Sequence, residues 1–215
     1  TDQATSLIAG TKTSSSLAGS FTAASSNPSG YLVVRSVGAL NTNPVDGTTY
    51  AAAATLGNGT VIQSSSSLSF TSSSLTSNTQ YTITIFAYNN TSCSGGPVYL
   101  TTTPLTGTLN TCPAAPTAAV NSNITTSGFT VSWTASAVGG SAGPINYTVE
   151  VYTDAGYTMP ITGSPFNSMT NVTQTITGLN SNTTYYYRIL ANNTFCNSTY
   201  LTGSVYTGYC LVSTS

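Results

Sequence analysis

Apolar and polar residues alternate with period two through most of this chain, and no stretch carries a helical stripe. Phe129, Val131 and Trp133 fall on one face of a first run, and Tyr147, Val149 and Val151 on one face of the next. A third run sets Tyr185, Tyr187, Ile189 and Ala191 in line. Tyr81, Ile83, Ile85 and Ala87 repeat that third run earlier in the chain, and Tyr31-Leu-Val-Val-Arg35 is the earlier counterpart of residues 147–151. Turn-forming clusters separate the runs: Ser26-Asn-Pro-Ser-Gly30, Asn43-Pro-Val-Asp-Gly47, Ser94-Gly-Gly-Pro97 and Gly139-Gly-Ser-Ala-Gly-Pro144. Short alternating strands broken by turns at this spacing predict an all-β sandwich.

The chain also repeats itself. Leu75-Thr-Ser-Asn-Thr-Gln-Tyr81 returns as Leu179-Asn-Ser-Asn-Thr-Thr-Tyr185, and the offset of 104 holds as far as Ala87 and Ala191. A period of this size is too long for a solenoid repeat and suits one small domain. The 215 residues therefore divide into two modules, expected at 1–111 and 112–215.

Two motifs carry a family resemblance. Leu75…Thr79-x-Tyr81 and Leu179…Thr183-x-Tyr185 resemble the Leu-x-x-x-Thr-x-Tyr corner of fibronectin type III domains. Trp133 within Thr130-Val-Ser-Trp-Thr134 resembles the core tryptophan of that family's strand B, and Cys112-Pro-Ala-Ala-Pro-Thr117 its proline-bearing strand A. Phe21 stands where Trp133 stands, and the first copy's strand A, near Ala4–Thr13, lacks proline. Gly30-Tyr-Leu-Val-Val-Arg-Ser36 with Pro44-Val-Asp-Gly-Thr-Thr-Tyr50 is similar in style to such repeats in secreted proteins of Bacteroidetes bacteria. The resemblance implies two tandem seven-stranded immunoglobulin-like sandwiches. Trp133, Phe21, Tyr81, Tyr185, Leu75 and Leu179 then belong to cores and corners rather than to a ligand platform.

That fold constrains the four cysteines. Cys93 and Cys196 each follow a strand F, and Cys112 and Cys210 each follow a strand G. In a seven-stranded antiparallel sandwich the F–G loop lies at the pole where the chain enters, and strand G ends at the other pole, roughly 25 Å away. A disulfide needs Cα atoms within about 7 Å. Cys112 opens the second module at the same pole as Cys196, so the expected pair is Cys112–Cys196, a bond that would tie the junction to the second module. A long F–G loop folding down the sandwich would restore pairing within each copy. Cys112 precedes Trp133 by 21 residues, and the same count back from Phe21 passes Thr1. Cys93 is thus expected to pair upstream of this chain or on another chain, and Cys210 with the next module. The alternatives are a head-to-tail covalent array, a pair of modules cut from a longer tandem protein, or a strained internal bond between the two.

Composition sets the function class. Charged residues make up 3% of the chain, against roughly 25% in ordinary globular proteins. Ser, Thr and Asn form the polar surface instead, and a net charge of −1 gives little self-repulsion. Basic patches are absent, so nucleic acid is excluded as a partner, and no apolar run reaches the roughly 20 residues of a membrane helix. Cysteines and nine Asn-x-Ser/Thr triplets, beginning at Asn58 and ending at Asn197, suit an extracellular protein.

No catalytic constellation emerges. The chain has no His, which removes Ser-His-Asp and Cys-His catalysis and the commonest zinc ligand. Glu150 and Asp154, four apart on one expected strand, would stand roughly 13 Å apart, too far for a retaining glycosidase pair. Asn43-Pro-Val-Asp46 is the nearest approach to a calcium loop and supplies too few oxygens. No cofactor, metal or catalytic residue is expected. The leading expectation is an extracellular structural protein, a repeat of a surface filament, stalk or adhesin, with copies of itself as partners. Terminal strands are candidates for assembly at Thr1, Leu7 and Ile8, and at Leu211 and Val212. Surface glycans are the second partner class, with Tyr152, Tyr157 and Tyr206 as contacts. A spacer segment of a larger secreted enzyme is the third reading.

Overall fold

A computed structural model describes residues 2–91, 94–137 and 139–208 of the chain. Cys93, Cys210, Thr1, Leu211 and Val212 lie outside the described residues. Sixteen strands and no helix occur among those described. The chain divides into two compact units, Thr1–Thr111 with Gly140–Ala142 and Cys112–Gly139 with Gly143–Ser215.

The second unit has the simpler architecture. Its strands are β10 (Thr117–Ser122), β11 (Gly128–Thr134), β12 (Asn146–Tyr152), β13 (Phe166–Met169), β14 (Thr173–Thr177), β15 (Thr184–Asn192) and β16 (Leu201–Tyr206). They form two antiparallel sheets, β10-β11-β14 and β13-β12-β15-β16. Alternation explains the layering, because residues i and i+2 share a face. Phe129, Val131 and Trp133 from one sheet meet Tyr147, Val149, Val151, Tyr185, Tyr187, Ile189 and Ala191 from the other in one core. The large Tyr187 ring is accommodated by Gly203 on the neighbouring strand, where a Cβ would stand 2.4 Å from the phenol oxygen.

The first unit repeats this plan: β1 (Thr5–Lys12), β2 (Leu17–Thr22), β3 (Gly30–Ser36), β5 (Gly59–Ser65), β6 (Ser69–Ser72), β7 (Gln80–Asn89) and β9 (Leu105–Asn110). Two short strands, β4 (Thr55–Leu56) and β8 (Val98–Tyr99), extend the seven expected to nine. The sheets are β1-β2-β6 and β4-β5-β3-β7-β8, with β9 also paired to β7. The inner core holds Phe21, Tyr31, Val33, Phe70, Tyr81, Ile83, Ile85 and Ala87.

A second apolar layer distinguishes this unit. Leu32, Val34, Val61, Phe86 and Tyr99 are buried with Leu56 on the opposite side of the larger sheet, and Leu40, Tyr50 and Ala54 pack over them. The long connection between β3 and β5 supplies that cover. Four consecutive apolar residues, Tyr31-Leu-Val-Val34, are accordingly buried on both faces, whereas Tyr147-Thr-Val-Glu-Val151 alternates and buries one.

Candidate functional site

The corner motifs form the same bond twice. The Tyr81 hydroxyl accepts the backbone N–H of Thr76 at 3.0 Å, and the Tyr185 hydroxyl accepts that of Asn180 at 2.9 Å. Leu75, Leu179, Tyr81 and Tyr185 are buried, as are Phe21 and Trp133. Phe21 meets Tyr31 edge-on with centroids 5.0 Å apart, and Trp133 meets Tyr147 likewise at 5.5 Å. Even the hydroxyls of these partners repeat: Tyr31 accepts from Ala24 N, and Tyr147 from Ser136 N.

A further lock, with no signal in the sequence repeat, closes each corner. Thr111, just beyond β9, donates from Oγ1 to Thr76 O at 2.8 Å and accepts from Thr79 N at 2.9 Å. Thr207, just beyond β16, donates to Asn180 O at 2.7 Å and accepts from Thr183 N at 3.0 Å. Both threonines are fully buried, so each ties the last strand to its corner in a dry setting. Their spacing is 96 rather than 104, which hides them from the main repeat.

Cys112 and Cys196 form a disulfide with Cα atoms 5.3 Å apart, closing a sequence separation of 84. Cys112 is buried, and Cys196 ends a tight turn in which Asn193 Oδ1 accepts the N–H groups of Phe195 and Cys196 at 3.0 Å each. The bond therefore staples the first residue of the second unit to its β15–β16 loop. The expected linkages of Cys93 and Cys210 fall outside the described residues.

On the outer face of the second unit, charge and aromatic rings meet. Arg188 Nε lies 2.5 Å from Glu150 Oε2, across the register that pairs β15 with β12. The Arg188 guanidinium stands 5.2, 5.4 and 4.2 Å from the rings of Tyr152, Tyr157 and Tyr200. Tyr152 donates its hydroxyl to Glu150, and burial together with that bond raises its pKa to about 12. Two of the three tyrosines expected as glycan contacts bond to other side chains. Tyr152 is buried beneath Arg188 and Tyr157, and the outward position pairs it with the ion pair rather than with solvent. Tyr206 is exposed but donates to Asn182 Oδ1.

The remaining carboxylates serve the backbone. Asp154 is not a strand residue facing Glu150, because β12 ends at Tyr152 and the chain turns; its oxygens accept from Gly156 N, Thr158 N and Met159 N. Asp46, the candidate calcium ligand near Asn43, accepts from Tyr99 N at 2.8 Å and thereby fastens the β3–β5 connection to β8. Asp2 accepts from Ser25 and Ser26, whose hydrogen bonds hold its carboxyl well below the usual range. Leu7 packs against the inner core while Ile8 faces outward on β1, so a donated N-terminal strand would have to withdraw Leu7 from its own unit. No group of three His, Cys, Asp or Glu able to hold a metal occurs among the described residues. No described helix is long and apolar enough to cross a membrane.

Comparison with known proteins agrees with this geometry. Residues 114–202, within the second unit, match the family model of the fibronectin type III domain. A segment of two fibronectin type III domains from chicken tenascin superposes with a TM-score of 0.50 at 18% identity, covering 96% of this chain and 100% of that one. That likeness shows a shared fold. Endoglucanase B of Cellulomonas fimi is 34% identical over 139 residues, 62% of this chain. The chain spans only 12% of the length of that relative.

Proposed function

We propose that this chain is a non-catalytic repeat segment of an extracellular structural protein, a cell-surface filament, stalk or adhesin, whose sandwiches act as mechanical units. The observation that carries the reading is the Cys112–Cys196 bond, which fastens the opening residue of the second unit to that unit's own loop. Tension entering at Cys112 then passes through a covalent link rather than peeling β10 from its sheet. The nearly uncharged surface supports side-by-side packing, since few charges need be desolvated when copies meet. In this reading the copies join head to tail, through Cys93 and Cys210 and through terminal segments at Thr1, Leu7 and Ile8 or Leu211 and Val212. Asn-x-Ser/Thr triplets would carry sugar on an exported chain, and the style of the repeats fits a surface protein of Bacteroidetes bacteria.

The similarity to an endoglucanase favours a second reading, a spacer within a larger secreted enzyme that acts on polysaccharide. Non-reducing electrophoresis with negative-stain microscopy separates the two. A ladder that collapses with reductant, together with regular fibres, supports assembly. A clean monomer band and dispersed particles rule out self-assembly and leave the spacer reading.

A further inference from the structure

A sheet edge presents unpaired backbone groups, and in this chain side chains cover several of them. Ser204 O on β16 accepts from the Asn121 amide at 2.8 Å, Thr175 O on β14 from the Gln174 amide at 2.9 Å, and Ser69 O on β6 from the Ser67 hydroxyl at 2.8 Å. Tyr99 N on β8 donates to Asp46 at 2.8 Å. Other edges are short or broken: β4 is Thr55–Leu56 alone, β13 is only Phe166–Met169 after Pro165, and β1 carries register shifts along its length. The exception is β9. It pairs with β7 on one side and with no strand on the other among the described residues. Leu7 of β1 lies against Gly107, but β1 makes no backbone pair with β9.

The ladder fixes which groups of β9 are open. Thr111 N donates to Thr79 O, one step beyond the Gln80–Asn110 pair. Bonded and non-bonded pairs alternate in an antiparallel ladder. Leu105, Gly107 and Leu109 therefore bond β7, while Thr106 and Thr108 turn their N–H and C=O groups away from it. Both threonines are exposed. The second unit shows what is missing here. Leu105-Thr-Gly-Thr108 returns as Leu201-Thr-Gly-Ser204, so Thr108 is the counterpart of the capped Ser204. The capping residue, Asn121, stands opposite Val131; at the same station Ala9 stands opposite Gly19. Alanine has no donor, and Ala9 is itself exposed. Nor does β9 hold a charge, a proline or a bulge, the usual devices that keep edges apart.

We propose that β9 is the lateral pairing edge of this chain, and that its occupant is β9 of a second copy, antiparallel across a two-fold axis through Gly107. This rests on the side-by-side packing proposed above and names the surface that performs it. A strand meeting its own copy in this register sets Thr106 opposite Thr108, so each pair exchanges both open backbone bonds. Threonine meets threonine across the junction, a favourable cross-strand pair, and no like charges face each other. A net charge of −1 leaves little repulsion between approaching copies.

Sedimentation equilibrium of the full chain carrying Cys93→Ser and Cys210→Ser isolates this contact, because head-to-tail disulfides cannot then form. A dimer should appear as the concentration rises toward about 1 mM, the weak regime of so small a contact. The amides of Thr106 and Thr108 should gain hydrogen-exchange protection with the dimer, and that of Gly107, already bonded to β7, should not change. Thr108→Pro removes an N–H that points away from β7, and the double variant Thr106→Lys, Thr108→Lys sets lysines opposite lysines. Each should weaken the dimer about tenfold or more while the amide spectrum of the sandwich stays folded. A chain that remains monomeric, a dimer that both variants leave intact, or protection gained elsewhere than at Thr106 and Thr108 would overturn the assignment. Disulfide ladders from the unaltered chain, with no dimer once Cys93 and Cys210 are replaced, would overturn it and leave head-to-tail joining in place.

Discussion

Thr84 stands at the station on β7 that Arg188 occupies on β15. Thr84 is paired with Val34 across β3, and Arg188 with Glu150 across β12, in matching registers. The inner faces of the two sandwiches are therefore near copies, while their outer faces have diverged. One carries an ion pair under tyrosines, and the other carries an apolar layer roofed by a loop.

The outer-face cluster predicts a modest loss on truncation. Arg188→Ala breaks an ion pair with Glu150 that is only partly shielded from water, and removes the stacking surface of Tyr152 and Tyr200. The second unit should lose about 1–2 kcal/mol in urea unfolding. Because so few charges exist elsewhere, the midpoint of the unaltered chain should move little between low and high salt.

The threonine locks predict larger effects in each unit separately. Thr111→Val and Thr207→Val leave buried backbone groups unpaired, and each should cost about 1–3 kcal/mol. Tyr81→Phe and Tyr185→Phe should cost about 1 kcal/mol each. Two-transition unfolding curves would show which unit is affected.

These locks also show how far the sequence could be read. The corner tyrosines are legible because leucine, threonine and tyrosine keep fixed spacing within one turn and one strand. Thr111 and Thr207 are not, because their partners lie a whole hairpin away and the intervening loops differ in length. The roof over β3 left a mark, four apolar residues in a row, which signals a strand buried on both sides; alternation elsewhere overshadowed it. The burial of Tyr152 is not legible, because nothing along the chain announces that Arg188 lies across it. The position of Asp154 beyond the strand is not legible either, because the end of β12 depends on its turn, not on alternation.

Alkaline pH offers a check on the roof. Burial, reinforced by the neighbouring Tyr88, raises the Tyr99 pKa to about 12, whereas an unfolded tyrosine ionises near 10. The folded state thus holds the proton more tightly than the unfolded state. The associated stability is fully present below about pH 10 and is lost as pH rises toward 12. Unfolding midpoints across that window should fall for the first unit, and Tyr99→Phe should flatten the decline. On the acid side, the low-pKa carboxyl of Asp2 should make Asp2→Asn variants less sensitive to acidification below about pH 4.

Replacing the staple should loosen one unit alone. The Cys112→Ser, Cys196→Ser double variant frees an 84-residue loop in the unfolded chain and should lower the stability of the second unit by about 2–4 kcal/mol, with the first unit unchanged. Chemical denaturation followed by the near-ultraviolet signal of Trp133 would report the second unit specifically.

Single-molecule stretching of the full chain, with and without reductant, tests the mechanical claim most directly. With the Cys112–Cys196 bond intact, rupture of the second unit should release only a short length, and reduction should add about 290 Å, the reach of the 84-residue segment. An extension for that unit that is the same in both conditions would contradict a covalently fastened mechanical module.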